Sequence, residues 1–198
     1  MTRVKLWRFL LWIALAVVGA APAHAAGPFK NVPAGALHQP SGVVFPARVG
    51  NFQRQGAPHL YDNAGRDVSF RYLLGRATVA DAYVYPVTKV TGGLDAEFRT
   101  QQNAITQVNR NVKLRAQQNT AIVQSGRRVA GKHASYDFER ALQTKRFQKA
   151  GSQLYVFRDG NWFVAYRFSY PRENTAAALQ QINAFLAGWQ WKPGAMRI

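Results

Sequence analysis

His133, Ser135 and Asp137 fall at alternate positions, so on a β-strand their side chains would stand in a row on one face. A row of imidazole, hydroxyl and carboxylate is what a proton relay or a small hydrolase requires. The same row could hold a metal ion, and a hydrolase would use His133 and Asp137. The same alternation also describes a polar, solvent-facing strand whose other face, Ala134, Tyr136 and Phe138, points into a core. That simpler reading accounts for every residue of the run and leaves His133 and Asp137 as the alternative. None of the six serines sits in a Gly-x-Ser-x-Gly elbow. There is no His-x-x-x-His, Glu-x-x-His, acidic calcium loop, phosphate-cradling glycine loop or dinucleotide fingerprint, so no metal and no cofactor is expected. Asp62 with Asp67, or Asp137 with Glu139, are the carboxylate pairs that glycoside hydrolysis would need, drawn from only nine acids. The absence of cysteine excludes disulfides, thiolate nucleophiles and cysteine-ligated metals together.

The stronger chemical signal is positive charge. The 198 residues carry 26 Lys+Arg against 9 Asp+Glu, a formal +17. The cations cluster as Arg110, Lys113 and Arg115; as Arg127, Arg128 and Lys132; and as Arg140, Lys145, Arg146 and Lys149. Arginine is the better fork for phosphate and carboxylate, and the third cluster sets four positive charges in ten residues, with no acid among them, on a connection between two strands. Arg127, Arg128, Arg140, Lys145, Arg146 and Lys149 are therefore the candidate anion-binding residues. Their partner would be a lipid head group, a cell-wall polymer or an acidic protein.

An export signal decides which polyanions are within reach. Arg3, Lys5 and Arg8 precede an apolar run from Phe9 to Ala21, and Ala23-His24-Ala25 follows Pro22. These are the three parts of a secretory signal peptide spanning residues 1–25, with cleavage near Ala25 and Ala26 as the fallback. The apolar run is shorter than the ~20 residues needed to cross a bilayer. The mature chain thus has no expected transmembrane span, although contact with a membrane surface stays open. Losing the three cations takes the formal charge from +17 to +14. A periplasmic or secreted location makes nucleic acid a poor partner, and no recognition helix or RNA-binding motif is present.

The elements that would position these residues can be read from periodicity. Residues 26–42 carry Pro28, Pro33 and Pro40 among glycines, an extended lead-in with little to bury. Residues 43–198 read as one domain. Val68, Phe70, Tyr72 and Leu74 alternate as a strand, and a second strand follows the Gly75-Arg76 turn up to Pro86. Thr91-Gly92-Gly93 opens a helix whose apolar face is Leu94, Phe98, Ile105, Val108 and Val112. Asp159-Gly160-Asn161 marks a hairpin, and its second strand presents Trp162, Val164, Tyr166, Phe168 and Tyr170 on one face. A last helix begins near Asn174, with Leu179, Ile182, Phe185, Leu186 and Trp189 on its buried side. The sum is an α+β fold, a mostly antiparallel sheet with two main helices packed on it.

The order of three motifs carries a family resemblance. Val129-x-Gly131-x-x-Ala134 enters a strand; Tyr155-x-Phe157-x-Asp159-Gly160-x-Trp162 makes a hairpin; and Ile182-x-x-Phe185-Leu186-x-x-Trp189 closes the chain. In this order, over residues 68–191, the chain resembles the PsbP-type photosystem subunits and the nuclear-import factor that binds Ran. The resemblance implies a PsbP-like fold and a binding or assembly role, without chemistry, and offers no site residue. The expectation is an exported, non-enzymatic binding or accessory protein of the bacterial envelope that docks to an anionic component or acidic protein. A second alternative, besides the hydrolase, is a scaffold acting through an apolar sheet or helix face.

Overall fold

The computed structural model describes residues 27–89, 91–141 and 147–191. The signal segment 1–25, and Lys145 and Arg146 of the third basic cluster, lie outside the described residues. Three short strands, β1 (Phe29–Val32), β2 (Gly35–His38) and β3 (Val44–Phe45), form a small sheet. Eight more build the main sheet: β4 (Arg48–Val49), β5 (Phe52–Leu60), β6 (Val68–Leu74), β7 (Thr78–Pro86), β8 (Arg110–Gln124), β9 (Arg127–Ala141), β10 (Phe147–Asp159) and β11 (Trp162–Pro171). Two helices, α1 (Gly93–Val108) and α2 (Thr175–Gly188), complete the chain. The order across the main sheet is β4-β5-β6-β7-β11-β10-β9-β8, every neighbouring pair antiparallel.

This corrects the α+β expectation. The described chain is mostly β, 56% strand against 22% helix, with the eight-stranded sheet curled into a half-barrel. The expected helices and hairpins are there, but strand was underestimated in three places. The lead-in 26–42 is not without a core: β1 and β2 pair as a hairpin, and Ala36, His38 and Ser41 are buried. Gln, Arg and Gly interrupt β5, which carries a register shift between Gln55 and His59 and shows little alternation. Most of β8 is solvated on both faces, since it is the edge of the sheet, and its Lys-Leu-Arg-Ala-Gln-Gln-Asn run has no apolar period to betray a strand. The first helix accordingly stops at Val108, which is 69% exposed, and Val112 belongs to β8.

Each face of the sheet has its own core. On one, Trp162, Val164, Tyr166, Phe168 and Tyr170 of β11 join Val68, Phe70 and Tyr72 of β6 beneath α2. Phe185 of α2 stands edge-on to Phe52, Tyr72, Tyr166 and Phe168 at centroid distances of 5.1–5.8 Å, the geometry that aromatic quadrupoles prefer. On the other face α1 lays Phe98 and Ile105 against Tyr136, Phe138, Leu154, Val156 and Phe163. β11 is buried on both sides, hence its nearly continuous apolar sequence.

The long β8–β9 hairpin turns through Ser125 (φ 50°) and Gly126 (φ 78°), both left-handed as a tight two-residue turn requires. Its tip reaches past the end of β10 pairing and is fastened to the chain beyond α2. Gln124 donates from Nε2 to the Trp189 carbonyl (3.1 Å) and accepts from the Trp191 amide (2.6 Å); the Ser125 hydroxyl donates to the Trp191 carbonyl (3.0 Å). The free hairpin is thereby fastened to the segment that follows α2.

The small sheet is held by His38. Its Nε2 donates to the Gly65 carbonyl (2.7 Å), and its Nδ1 accepts from the Ser41 hydroxyl (2.7 Å). Burial pushes the imidazole below its ordinary value, against the smaller upward pulls of the Gly65 carbonyl and the Asp62 charge. The unfolded chain then binds a proton near pH 6.5 that the fold refuses, so the neutral imidazole's stability is complete above that value and declines as pH falls below it. Thermal melts at pH 7.5 and 5.5 are expected to show a larger fall in midpoint for the wild type than for His38→Gln, whose amide still donates to Gly65.

Candidate anion-binding site

The first and third basic clusters come together because β8 begins, β9 ends and β10 begins at the same end of the sheet. Register places Lys113 opposite Asp137, Arg110 opposite Glu139, and Lys149 on the other side of Glu139. All of these lie on the α2 side by strand alternation. Two register shifts in β8, between Arg110 and Lys113 and between Leu114 and Ala116, bend its start; Asn111 takes φ 53° there. The second shift leaves Arg115 as the extra residue and turns it onto the same face as Asp137. The single 3-10 turn Arg172–Asn174 after β11 adds Arg172 from across β10.

Asp137 Oδ2 accepts from both guanidinium groups, Arg115 Nε at 2.8 Å and Arg172 Nη2 at 3.1 Å. One carboxylate thus holds two forks side by side, each about half exposed, with further N–H donors on each guanidinium. Glu139 accepts from Asn111 Nδ2 (2.9 Å). Five cations, Arg110, Lys113, Arg115, Lys149 and Arg172, surround two carboxylates around adjoining hollows of about 430 and 380 Å³. Donors already oriented by an internal carboxylate lose little freedom when an anion arrives.

This end opens into a trough between α2 and the β8–β9 arm, floored by β10. Beyond the cations the floor is polar. His133 Nε2 meets Gln153 Oε1 (2.6 Å), Gln153 Nε2 donates to the Tyr170 hydroxyl (2.7 Å), and His133 stacks on Tyr155 at 4.4 Å. Burial raises the Tyr155 phenol to about 12 and that of Tyr170 upward, so both are neutral donors. The far end is an apolar hollow of about 540 Å³ whose walls include Ile122, Tyr155, Phe157 and Leu186.

Of the sequence candidates, Arg140 and Lys149 stand at the cationic end, although Arg140 alternates onto the α1 side of the sheet. Arg127 and Arg128 stand at the opposite end of β9, about 40 Å away along the strand. There Arg127 is ion-paired with Asp159, and Arg128 faces Val123 across the arm. Lys132 is engaged by Asp95 of α1 and by Asn119 (3.1 Å). His133 and Asp137 share a face but lie about 13 Å apart along it, with different partners: Gln153 and Tyr155 for one, two arginines for the other. Arg172, which cluster-reading missed, has no basic neighbour in sequence; only the β10–β11 register, Ala150 opposite Pro171, brings it beside Lys149. Among the described residues no group of three His, Cys, Asp or Glu could hold a metal ion, and no helix is long and apolar enough to cross a membrane.

Comparison with known proteins finds no matching family model and no matching curated protein. Among solved structures the chain is similar to a Pseudomonas aeruginosa protein of unknown function, at 9% identity over 83% of this chain and 96% of that one, with a TM-score of 0.48. It is also similar to cyanobacterial PsbP (CyanoP) from Synechocystis sp. PCC 6803, at 14% identity over 77% of this chain and 99% of that one, with a TM-score of 0.43. A PsbP structure is thus among the matches, as a PsbP-type subunit was the resemblance read from the sequence.

Proposed function

We propose that this is an exported, non-catalytic binding protein that docks an anionic envelope component or acidic protein at the cationic end of the trough. The observation that supports the reading is the shared carboxylate of Asp137, which sets Arg115 and Arg172 side by side on an open face with Lys113 and Lys149 around them. Paired arginines match the bidentate geometry of carboxylate and phosphate, and charge-assisted contacts are worth roughly 1.5–3 kcal/mol each. Of the six residues first singled out, Lys149 belongs to the docking face, Arg140 lies on the other face of the sheet, Arg127 and Arg128 stand at its far end, and Lys145 and Arg146 lie outside the described residues.

Binding of polyglutamate and of phosphatidylglycerol vesicles tests it. The double substitution Arg115→Gln, Arg172→Gln is expected to weaken whichever probe binds by about tenfold or more and to flatten its salt dependence. Arg127→Gln with Arg128→Gln removes the same charge from the far end and should change affinity by less than about twofold. Equal losses from both pairs would mean that net charge alone attracts the probe and would refute a localised site.

A further inference from the structure

On the α1 side of the sheet the helix reaches β7 only at Tyr85, which bonds to Glu97 and Gln101, and the exposed residues beyond it on β5, β6 and β7 differ in kind from the rest of this basic surface. Tyr61 at the end of β5 and Tyr83 of β7 lie 6.2 Å apart, between two adjoining hollows of about 310 and 290 Å³ that both tyrosines line. Tyr61 is 49% exposed, yet its place is fixed: its amide donates to the Asp67 carbonyl (2.9 Å), its hydroxyl meets Ser69 Oγ (3.2 Å), and the His59 ring stands edge-on at 4.3 Å. The result is a rigid aromatic shelf open to solvent. Beside it Arg71 and Asp81 make a flat two-point pair, Nε to Oδ1 at 2.7 Å and Nη2 to Oδ2 at 3.0 Å. Tyr85, Gln101 and Arg167 line the second hollow.

Charge separates this basin from the docking trough. In a chain with 26 cations and 9 acids, the basin sets Arg71 and Arg167 against Asp67 and Asp81, two against two. A polyanion gains nothing there over the rest of the surface. A neutral ligand that needs donors and acceptors together, and an apolar face to lie on a ring, gains all three. Sugars have that chemistry: axial C–H groups pack on an aromatic face, while vicinal hydroxyls bridge planar carboxylate, guanidinium and amide groups. The two hollows have the size of small-molecule sites.

We propose that this basin binds a neutral oligosaccharide, with a sugar ring stacked on Tyr61 and its neighbouring hydroxyls bridged by the Arg71–Asp81 pair. The site is independent of the anion-docking end and needs none of its residues.

Titration with maltotriose, cellotriose and chitotriose, followed by calorimetry and by amide shifts, tests the proposal. At least one trisaccharide is expected to bind at millimolar concentration or below, with affinity changing less than about twofold between about 0.15 M and about 0.5 M salt. Tyr61→Ala should weaken it by about tenfold, whereas Tyr61→Phe, which keeps the ring, should stay within about threefold. Tyr61 is half exposed, so both variants are expected to melt near the wild type. The Arg115→Gln, Arg172→Gln protein should bind the sugar normally, which separates this site from the docking end. Absence of binding by all three sugars, binding that survives Tyr61→Ala, or binding that falls with salt would overturn it.

Discussion

Trp189→Ala is expected to cost about 3–5 kcal/mol of folding free energy. The indole is fully buried, packed within 5.3 Å of Phe45 and Tyr166 and 5.8 Å of Tyr72, and its Nε1 donates to the Val44 carbonyl at 2.8 Å. Truncation therefore opens a cavity among four elements and leaves a β3 carbonyl without its donor. It also loosens the tail that carries Trp191, whose Nε1 donates to the Tyr166 hydroxyl (2.8 Å) and whose backbone receives the β8–β9 tip. The loss would appear in urea melts as a lower midpoint. Gln124→Ala, which unfastens the tip but keeps the indole, should cost markedly less; if it costs as much, the tip and not the tryptophan carries the effect.

Gly131→Ala should destabilise by about 1–3 kcal/mol although it adds one methyl group. A Cβ on Gly131 would stand 2.3 Å from Cδ1 of Phe157 and 2.8 Å from the Val156 carbonyl oxygen, so the ring must leave its place on the strand. Phe157 is also a wall of the apolar hollow and a neighbour of Trp191 at 5.9 Å, which spreads the strain into the tail. Phe157→Leu frees the space, so the double variant is expected to be less destabilised than the two single losses added. Strict additivity in a double-mutant cycle would show that the methyl is accommodated elsewhere.

Both predictions rest on packing that the sequence could not display. The aromatic alternation of β11 and the Asp159-Gly160-Asn161 turn were legible, because a two-residue side-chain period and a turn signal are local properties. The two helices were legible for the same reason. The sheet's edge was not: β8 has water on both sides and needs no pattern, and the two shifts that aim Arg115 are defined only against β9. Likewise Arg110, Lys113 and Arg115 were visible as one cluster and Arg140 to Lys149 as another, but their meeting is a matter of strand order. The same strand order sends Arg127 and Arg128 away. The Asp137 bridge and Arg172 arise at the crossing of three segments, and no single stretch of chain announces them.

The adjacency of β7 and β11 also sets an order of events in time. β5, β6 and β7 form one meander of local hairpins, and β8 to β11 form another. Each can zip from its own turns with little loop-closure entropy. Among the described strands only the β7–β11 seam, Ser169 against Val79 through to Trp162 against Pro86, joins partners distant in the chain. The aromatic layer that receives α2 spans that seam, so the helix has no complete surface to dock on until it closes. Contact order therefore places the seam at the slow step of folding. Before it closes, two sheet edges stand open in the middle of what will become the core, a hazard this chain faces only while it folds.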